Sequence, residues 1–262
     1  MQAELMSTLA LILIFTGGSG ALSALIAGGF LLLPAGRRNA LLPHLVSFAT
    51  GALLGAALLA LLPHALDSGG GAHGIGIALA GGIVAFFVLE KMVLWRHCHV
   101  DACEAHGPTE LHRARASATL ILWGDAFHNT LDGVLIAAAF LTDPHLGIVT
   151  TVAVFAHEIP QEVGDLAILL NGGMSRRRAL MLNVAVSLAS VAGALIAWFL
   201  LARALEVLPY ALAIAAASFL YVAVADLIPG LHRRVDARTS IQQVALIALG
   251  VLIIGLSHEF AH

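Results

Sequence analysis

The chain has 262 residues, of which 60% are hydrophobic and only 11% are charged, and its mean hydropathy is +0.94. A soluble domain carries about 25% charged residues, so this composition excludes an ordinary soluble protein and indicates an integral membrane protein. The formal net charge of -3 gives no reason to expect a nucleic-acid partner. The two cysteines, Cys98 and Cys103, cannot form a disulfide framework.

Apolar stretches long enough to cross a membrane recur along the whole chain. The hydrocarbon core of a bilayer needs a helix of roughly 20 apolar residues, and open strands cannot stand in lipid because their backbone groups would lack hydrogen-bond partners. We therefore predict an all-α integral membrane protein of eight transmembrane helices, which are, in chain order, residues 5–33, 42–63, 74–95, 117–141, 147–170, 178–202, 208–229 and 241–260.

The basic residues predict how these spans are oriented. Of the thirteen Lys and Arg residues, Lys91 lies inside the end of span three and Arg203 lies in a loop on one side. The loops on the other side hold Arg37, Arg38, Arg96, Arg113, Arg115, Arg176, Arg177, Arg178, Arg233, Arg234 and Arg238. Because basic loops stay in the cytoplasm, we predict that both termini face outward and that 97–116 is a polar cytoplasmic loop. The bias towards Leu, Ala, Gly and Arg indicates the inner membrane of a bacterium.

Span four carries polar residues in its middle. Asp125, His128, Asn129 and Asp132 follow one another at i, i+3, i+4 and i+7, so they share one helical face. Charged and imidazole side chains are costly inside a membrane and are rarely there without a function. Any one of these residues could instead be a packing residue that is held by hydrogen bonds and binds no ligand. For Asp125, such a structural role and a supporting role beside a metal ligand are equally consistent with the sequence.

Span five carries a second set of polar residues at the same depth. His157 and Gln161 form one row, and Glu158, Glu162 and Asp165 form the adjacent row. A short loop makes spans four and five antiparallel, so the two polar faces should meet near the bilayer midplane. Pro160 is expected to kink span five and to free the carbonyl group of Ala156, as in transporters whose helices break at the binding site.

These residue types are ligands for divalent transition metals. Imidazole, carboxylate and amide groups together favour Zn²⁺, Fe²⁺, Mn²⁺ or Co²⁺ over Ca²⁺ and Mg²⁺. Binding requires neutral histidines and ionised carboxylates, so it should weaken in acid. The predicted metal site comprises His128, Asn129, Asp132, His157, Glu158, Gln161 and Glu162.

The two motifs resemble those of the ZIP (Zrt/Irt-like) family of divalent metal transporters. The family's span four reads His-Asn-x-x-Asp/Glu-Gly, and its span five, in the branch that this chain resembles, reads His-Glu-x-Pro-His-Glu-x-Gly-Asp. Matching residues here are His128, Asn129, Asp132 and Gly133, then His157, Glu158, Pro160, Glu162, Gly164 and Asp165. Further similar segments are 61–64, 89–91 and 218–222 with Asp226.

This resemblance implies a fold and a transport function. It implies eight helices in an inverted-repeat arrangement around spans four and five, which make 1–262 a single transporter domain. It implies transport of Zn²⁺, or of Fe²⁺, Mn²⁺, Co²⁺ or Cd²⁺, into the cytoplasm by an elevator-like motion of spans one, four, five and six. The metal is cargo rather than a cofactor, and the partners implied are the lipid bilayer and a second copy in a homodimer. One metal position would use His128, Asp132 and His157, and the other Asn129 and Glu158.

The chain departs from the family pattern at two positions. Gln161 stands where this branch has His and where other branches have a bridging Glu. Ser190 stands at about the place where some branches have a Glu in span six. A neutral amide is a weaker ligand than imidazole or carboxylate, so affinity and metal choice should differ here, and the second metal position is short of negative charge.

Other polar clusters lie outside the two motifs, and each has a functional and a structural interpretation. The loop that holds Cys98 and Cys103 is either a transient metal exit site or a solvated segment. His64, Asp67 and His73 could form a metal entrance or an ordinary outer loop. His258, Glu259 and His262 could bind metal or form a solvated terminus, and Glu90 and Asp226 either line the exit or bond neighbouring helices.

Two other functions compete with metal import. His157 and Glu158 look like the start of the His-Glu-x-x-His pattern of zinc hydrolases, so an intramembrane zinc-dependent hydrolase is the alternative. Gln161 occupies the position of the second histidine and breaks that pattern. A membrane metal sensor without flux is the third hypothesis. The sequence thus favours a transporter, not an enzyme.

Overall fold

The computed structural model describes residues 2–69, 71–98, 110–171, 173–201, 205–232 and 236–259. Within these ranges all the regular secondary structure is helical. The long helices form eight rods, numbered α1 to α8 in chain order. Their bounds are Gln2–Phe30 (α1), Ala35–Asp67 (α2), Ala72–Cys98 (α3), Glu110–Thr142 (α4), Pro144–Asn171 (α5), Arg176–Leu201 (α6), Leu208–Leu231 (α7) and Ala237–Glu259 (α8).

Six of these rods are long and apolar enough to cross a membrane, namely α1, α2, α3, α6, α7 and α8 in the described residues. The other two, α4 and α5, carry the polar motifs with their charged residues. The prediction of an all-α membrane protein is thereby confirmed, while the total of eight crossings stays a prediction. Helices α3 and α4 reach Cys98 and Glu110, which lie inside the predicted loop 97–116.

Three of the rods are irregular. In α2 the α-helix Ala35–Gly55 passes through a π-helical stretch, Ala56–Leu61, into Leu62–Asp67, and in α7 the helix Leu208–Tyr221 passes through Val222–Leu227 into Ile228–Leu231. A proline, Pro63 or Pro229, follows each π-helical stretch. A proline removes a backbone donor and crowds the preceding turn, which is a common cause of such irregularities.

The third irregular rod is α6, which consists of Arg176–Ser187 and Ala189–Leu201 on either side of Leu188. The hydroxyl of Ser190 donates to the carbonyl of Ser187 at 2.8 Å, and the hydroxyl of Ser187 lies 2.9 Å from the carbonyl oxygen of Asn183. Side chains that bond to carbonyl groups of their own helix compete with its backbone bonds and bend it. The break therefore lies where α6 carries its polar residues.

The rods pack in two groups. In the first, α1 lies against α5, and α4 lies against both α5 and α6. In the second, α2 lies against α8, and α3 lies against α7. The most extensive contact between the groups is that of α2 with α5. Helices α4 and α5 thus belong to the first group and face the second.

Glycines allow α4 and α6 to approach backbone to backbone. A Cβ atom added at Gly133 would overlap the carbonyl group of Ser190, and one added at Gly193 would overlap the carbonyl group of Thr130. Small residues of this kind let membrane helices pack closely, because lipid gives them little hydrophobic drive to associate. Close packing here fixes the position of α4 relative to α6, and therefore also the direction in which the polar face of α4 points.

An apolar core lies on one side of the polar residues. It is formed by α2, α4, α5 and α7, and it includes Ile136, Phe140, Leu146, Leu212 and Phe219, all at most 2% exposed. Since the residues of α4 from Leu135 to Phe140 are all buried, the polar face of this helix ends at Asp132.

Candidate metal centre

Four side chains, two from α4 and two from α5, converge between these helices. One ligand atom from each lies within 4.8 Å of each of the others, and the four residues are His128, Asp132, His157 and Glu158. The Nε2 atom of His157 is 3.2 Å from Asp132 Oδ2 and 3.2 Å from His128 Nε2. The helical spacing of the two motifs therefore brings imidazole and carboxylate groups to one point, as the sequence predicted.

The cluster is buried except on the side of His128. Asp132, His157 and Glu158 are each 2% exposed, whereas the side chain of His128 is 24% exposed. His128 Nε2 lies 3.5 Å from Asp132 Oδ2 and 3.8 Å from Glu158 Oε1. An incoming ion would thus meet His128 first and the buried residues afterwards.

A hydrogen bond fixes the ring of His157. Its Nδ1 atom donates to the carbonyl oxygen of Ala153 at 3.1 Å, one turn earlier in α5. A carbonyl can only accept, so in the neutral ring the proton is on Nδ1 and the lone pair is on Nε2, which faces His128 and Asp132. The ring also packs edge-on against Phe219 of α7, with 6.2 Å between centroids. A hydrogen bond to the ring nitrogen that does not bind the metal is typical of metal-binding histidines.

The carboxylates of the cluster have unsatisfied oxygens. Among the described residues, Asp132 Oδ2 and both oxygens of Glu158 are buried without a hydrogen-bond donor. With the proton of His157 on Nδ1, Asp132 Oδ2 and His157 Nε2 are two electron-pair donors facing each other. Burying such groups without a partner is costly. A divalent cation bound between them would accept an electron pair from each, so the chemistry of these residues fits a metal site.

Asn129 and Gln161, which the sequence also predicted as ligands, lie beside the cluster and bind Asp125. Gln161 Nε2 donates to Asp125 Oδ1 at 3.2 Å, and Asn129 Nδ2 donates to the same oxygen at 2.9 Å. Asn129 Nδ2 also lies 3.1 Å from the backbone oxygen of Asp125. Asp125 is 4% exposed. The Asp125 carboxylate therefore joins α4 to α5, which is the helix-bonding role considered for it. It also contacts two predicted ligands, as the supporting role would require.

Glu162, the seventh predicted ligand, is directed away from the four-residue cluster. Its carboxylate accepts hydrogen bonds from Asn183 Nδ2 and from Ser187 Oγ, both on α6. All three side chains are fully buried. The sequence reasoning missed Asn183 and Ser187, although Asn183, Ser187 and Ser190 recur at i, i+4 and i+7 on one face of the apolar span six, which is the signal that could have identified them.

The remaining predicted features are placed as follows. Helix α5 runs without interruption from Pro144 to Asn171, and the kink predicted at Pro160 stays a prediction, while α6 is interrupted at Leu188. His64 Nδ1 donates to the carbonyl oxygen of Ala60 at 3.0 Å, while Asp67 and His73 are exposed. Asp165 is 6% exposed. Outside the described residues and side chains lie the hypotheses on Glu90, the 97–116 loop with Cys98 and Cys103, Asp226, His258, Glu259 and His262.

The fold and the site together define a class of protein: a multi-pass membrane protein with a buried His and carboxylate cluster between two of its helices. Comparison with known families narrows this class. Residues 95–258 match the family model described as "ZIP Zinc transporter". These residues include α4, α5 and both polar motifs.

Curated proteins similar to the chain carry the same description. The zinc transporter ZIP13 of Pongo abelii is 32% identical over 233 residues, which cover 84% of this chain and 67% of that protein. The zinc transporter zipt-7.2 of Caenorhabditis elegans is 28% identical and covers 82% of this chain and 58% of its own length. Human zinc transporter ZIP4 is 42% identical over 119 residues, or 45% of this chain and 18% of the relative.

The chain belongs to the ZIP family of metal transporters. It is accordingly a membrane transporter of divalent metal and not an enzyme. The resemblance noted in the sequence is confirmed at the level of the family, and the hydrolase alternative, which rested on two residues of an incomplete pattern, is set aside.

Proposed function

We propose that this protein carries Zn²⁺ across the bacterial inner membrane into the cytoplasm through a site at the bilayer midplane. The observation that carries the proposal is the convergence of His128, Asp132, His157 and Glu158 within 4.8 Å. Every member of this cluster suits a borderline transition metal, and the set lacks a thiolate that would retain the ion. Fe²⁺, Mn²⁺, Co²⁺ and Cd²⁺ are the other ions that such a mixed site accepts.

The ligands fall into two positions that share the space between α4 and α5. His128, Asp132 and His157 form the first, supported by the short separations of His157 Nε2 from the other two. Asn129 and Glu158 form the second, to which Gln161 adds an amide in place of the family's usual imidazole. Because Glu162 bonds to α6, we assign it to holding α5 in place and not to binding the ion.

The packing of the rods favours an elevator-like mechanism. The metal cluster lies entirely on α4 and α5, and these helices pack with α1 and α6 into one group. A group that carries its own site can slide against α2, α3, α7 and α8 while its internal contacts persist. The backbone approach of α4 to α6 and the bonds of Glu162 to α6 keep the moving group rigid.

Orientation and assembly complete the proposal. Arginine-rich loops on one side of the spans support outward-facing termini and entry of metal into the cytoplasm. A homodimer is proposed on the family resemblance alone. Both can be tested independently of the site, by labelling single cysteines from each side of the membrane and by measuring the mass of the detergent-solubilised protein.

Metal influx into proteoliposomes that contain a zinc-sensitive dye tests the transport proposal. We expect wild-type protein to admit Zn²⁺ and the variants His128→Ala and His157→Ala to lose most of the flux. The matched control is His145→Ala, which removes a histidine from the first turn of α5, outside the cluster. Flux that persists in both site variants would contradict the site, and wild-type vesicles that cleave lipid or peptide without admitting metal would revive the hydrolase.

A further inference from the structure

Asp125 is a buried carboxylate that does not belong to the four-residue metal cluster but touches two amide side chains next to it. We propose that Asp125 is a positioning residue that sets metal preference, because it holds the amide of Gln161 with its carbonyl oxygen presented to the transported ion. This inference rests on the proposed function, since it assigns how one ligand of the second metal position is oriented. It concerns this chain in particular, which has an amide at 161.

The hydrogen bonds decide which end of each amide faces Asp125. A carboxylate only accepts, so the group within bonding distance of Asp125 Oδ1 must be the NH₂ end of Gln161 and of Asn129. The nitrogen and the oxygen of each amide are bonded to the same planar carbon, about 120° apart. With the nitrogen bonded to Asp125, the carbonyl oxygen is left available for another partner, and only an oxygen can donate an electron pair to a metal.

The helical register places Gln161 and Asn129 next to the residues of the metal cluster. Gln161 lies one turn after His157 on the same face of α5, and Asn129 lies one turn after Asp125 on α4, in the direction of Asp132. The direction away from Asp125 along α4 thus leads to the cluster. Asn129 is held twice, because its nitrogen also reaches the backbone oxygen of Asp125.

Gln161 depends more strongly on the Asp125 side chain. Among the described residues, the hydrogen bond that holds Gln161 to α4 runs from its Nε2 atom to Asp125 Oδ1. The Gln161 side chain has three rotatable bonds before its amide group. Without that acceptor the amide would be free to rotate, and binding the ion would then cost the conformational entropy of ordering it. The carbonyl oxygen is a hard ligand that Mn²⁺ favours, whereas Zn²⁺ is held largely by the imidazoles.

The test compares Asp125→Leu with Asp125→Asn by measuring binding of Zn²⁺ and Mn²⁺ to the purified full chain. Leucine keeps the approximate shape and removes the acceptor, whereas asparagine keeps one oxygen where Oδ1 lies and removes only the charge. We expect the ratio of Zn²⁺ to Mn²⁺ affinity to rise about tenfold in Asp125→Leu, and to stay within about twofold of wild type in Asp125→Asn. A residue with a merely structural role would weaken both ions equally and leave the ratio unchanged.

Each result decides the matter. An unchanged ratio in folded Asp125→Leu overturns the inference, and so does an equal change in Asp125→Asn, which would assign the effect to charge. If Asp125→Leu does not fold, wild-type protein with ¹³C-labelled glutamine side-chain carbonyls is used instead. Zn²⁺ should then shift a carbonyl band in the infrared spectrum, the shift should be missing in Gln161→Leu, and a spectrum without that shift overturns the inference.

Failure of the transport proposal gives a different result. If the protein transports no metal, the wild type shows no flux in vesicles. If only the positioning role is wrong, wild-type flux and its loss in His157→Ala remain, and the two Asp125 variants fail to differ in their preference between the ions.

Discussion

His157 Nε2 on α5 and Asp132 Oδ2 on α4 face each other at 3.2 Å, and the proton of His157 is engaged elsewhere, on the carbonyl of Ala153. Two electron-pair donors are thus held close together across a helix contact. Such an arrangement is unfavourable in the free protein and favourable around a cation. Changes that stabilise the metal-free protein at this site should therefore weaken metal binding, and the first prediction rests on this relationship.

The first prediction concerns Glu158, whose two oxygens are buried without a donor. Glu158→Gln replaces this buried carboxyl group with a neutral amide, so we expect the metal-free protein to be at least as stable as wild type in free energy of unfolding. The same change removes a ligand and should weaken Zn²⁺ binding by about tenfold to a hundredfold. Thermal unfolding with and without Zn²⁺ measures both effects, and Asp67→Asn, at an exposed carboxylate, serves as the control. A variant that loses both stability and affinity would contradict this account.

The second prediction concerns pH. The nitrogens of both cluster histidines must be free of protons to bind the ion, so protons compete with the metal for them. Zn²⁺ affinity should therefore fall as the pH is lowered below neutral, and calorimetry should show protons released on binding. In His128→Ala the dependence should be shallower. An affinity that does not change over this range would argue against histidine ligands.

The third prediction concerns the bonds between α5 and α6. Asn183→Leu removes a donor from the buried carboxylate of Glu162, which should destabilise the protein by about 1–3 kcal/mol. Since Glu162 is assigned to anchoring, the Zn²⁺ affinity of the folded fraction should remain close to that of wild type. Ser23→Ala is the control, because the Ser23 hydroxyl bonds only to the carbonyl of Gly20 within its own helix among the described contacts. A large loss of affinity without loss of stability would make Glu162 a ligand.

The fourth prediction concerns the approach of α4 to α6. A methyl group added at Gly193 would meet the Thr130 carbonyl, so Gly193→Ala should force the helices apart and cost about 1–3 kcal/mol. Gly164→Ala is the matched control, because nothing lies within 4 Å of a Cβ atom at that position of α5. Both variants can be compared by thermal unfolding in detergent and by Zn²⁺ uptake. Equal stability of the two would mean that α6 does not fix α4.

The helices and the convergence of polar side chains from spans four and five could be predicted because both depend on local periodicity. A polar face that recurs every third or fourth residue inside an apolar span needs no knowledge of tertiary structure. The role of Glu162 could not be obtained in this way, since Glu158 and Glu162 are equivalent on a helical wheel and only the partners on α6 distinguish them. The same holds for Gln161 and Asp125, whose bond crosses between two helices.

The interruption of the sixth span shows what local reasoning leaves out. Neighbouring helices in a membrane protein can accommodate the backbone groups that a proline frees, and α5 continues past Pro160. The interruption falls in α6 beside Leu188, where the Ser190 hydroxyl bonds to the backbone carbonyl of Ser187, a competition that proline rules do not describe.

The π-helical stretches of α2 and α7 determine how these rods tolerate changes in length. A π-helical turn holds one residue more than the α-helix that it interrupts. Deleting a single residue within Ala56–Leu61 would let α2 close into regular helix, because residue i+5 of a π-helical turn lies nearly where residue i+4 of an α-helical turn lies. His64 would then stay close to its present direction about the helix axis, and the helix before Ala56 would keep its contacts with α8. Each stretch can thus lose one residue without a change in the contacts of either end of its rod.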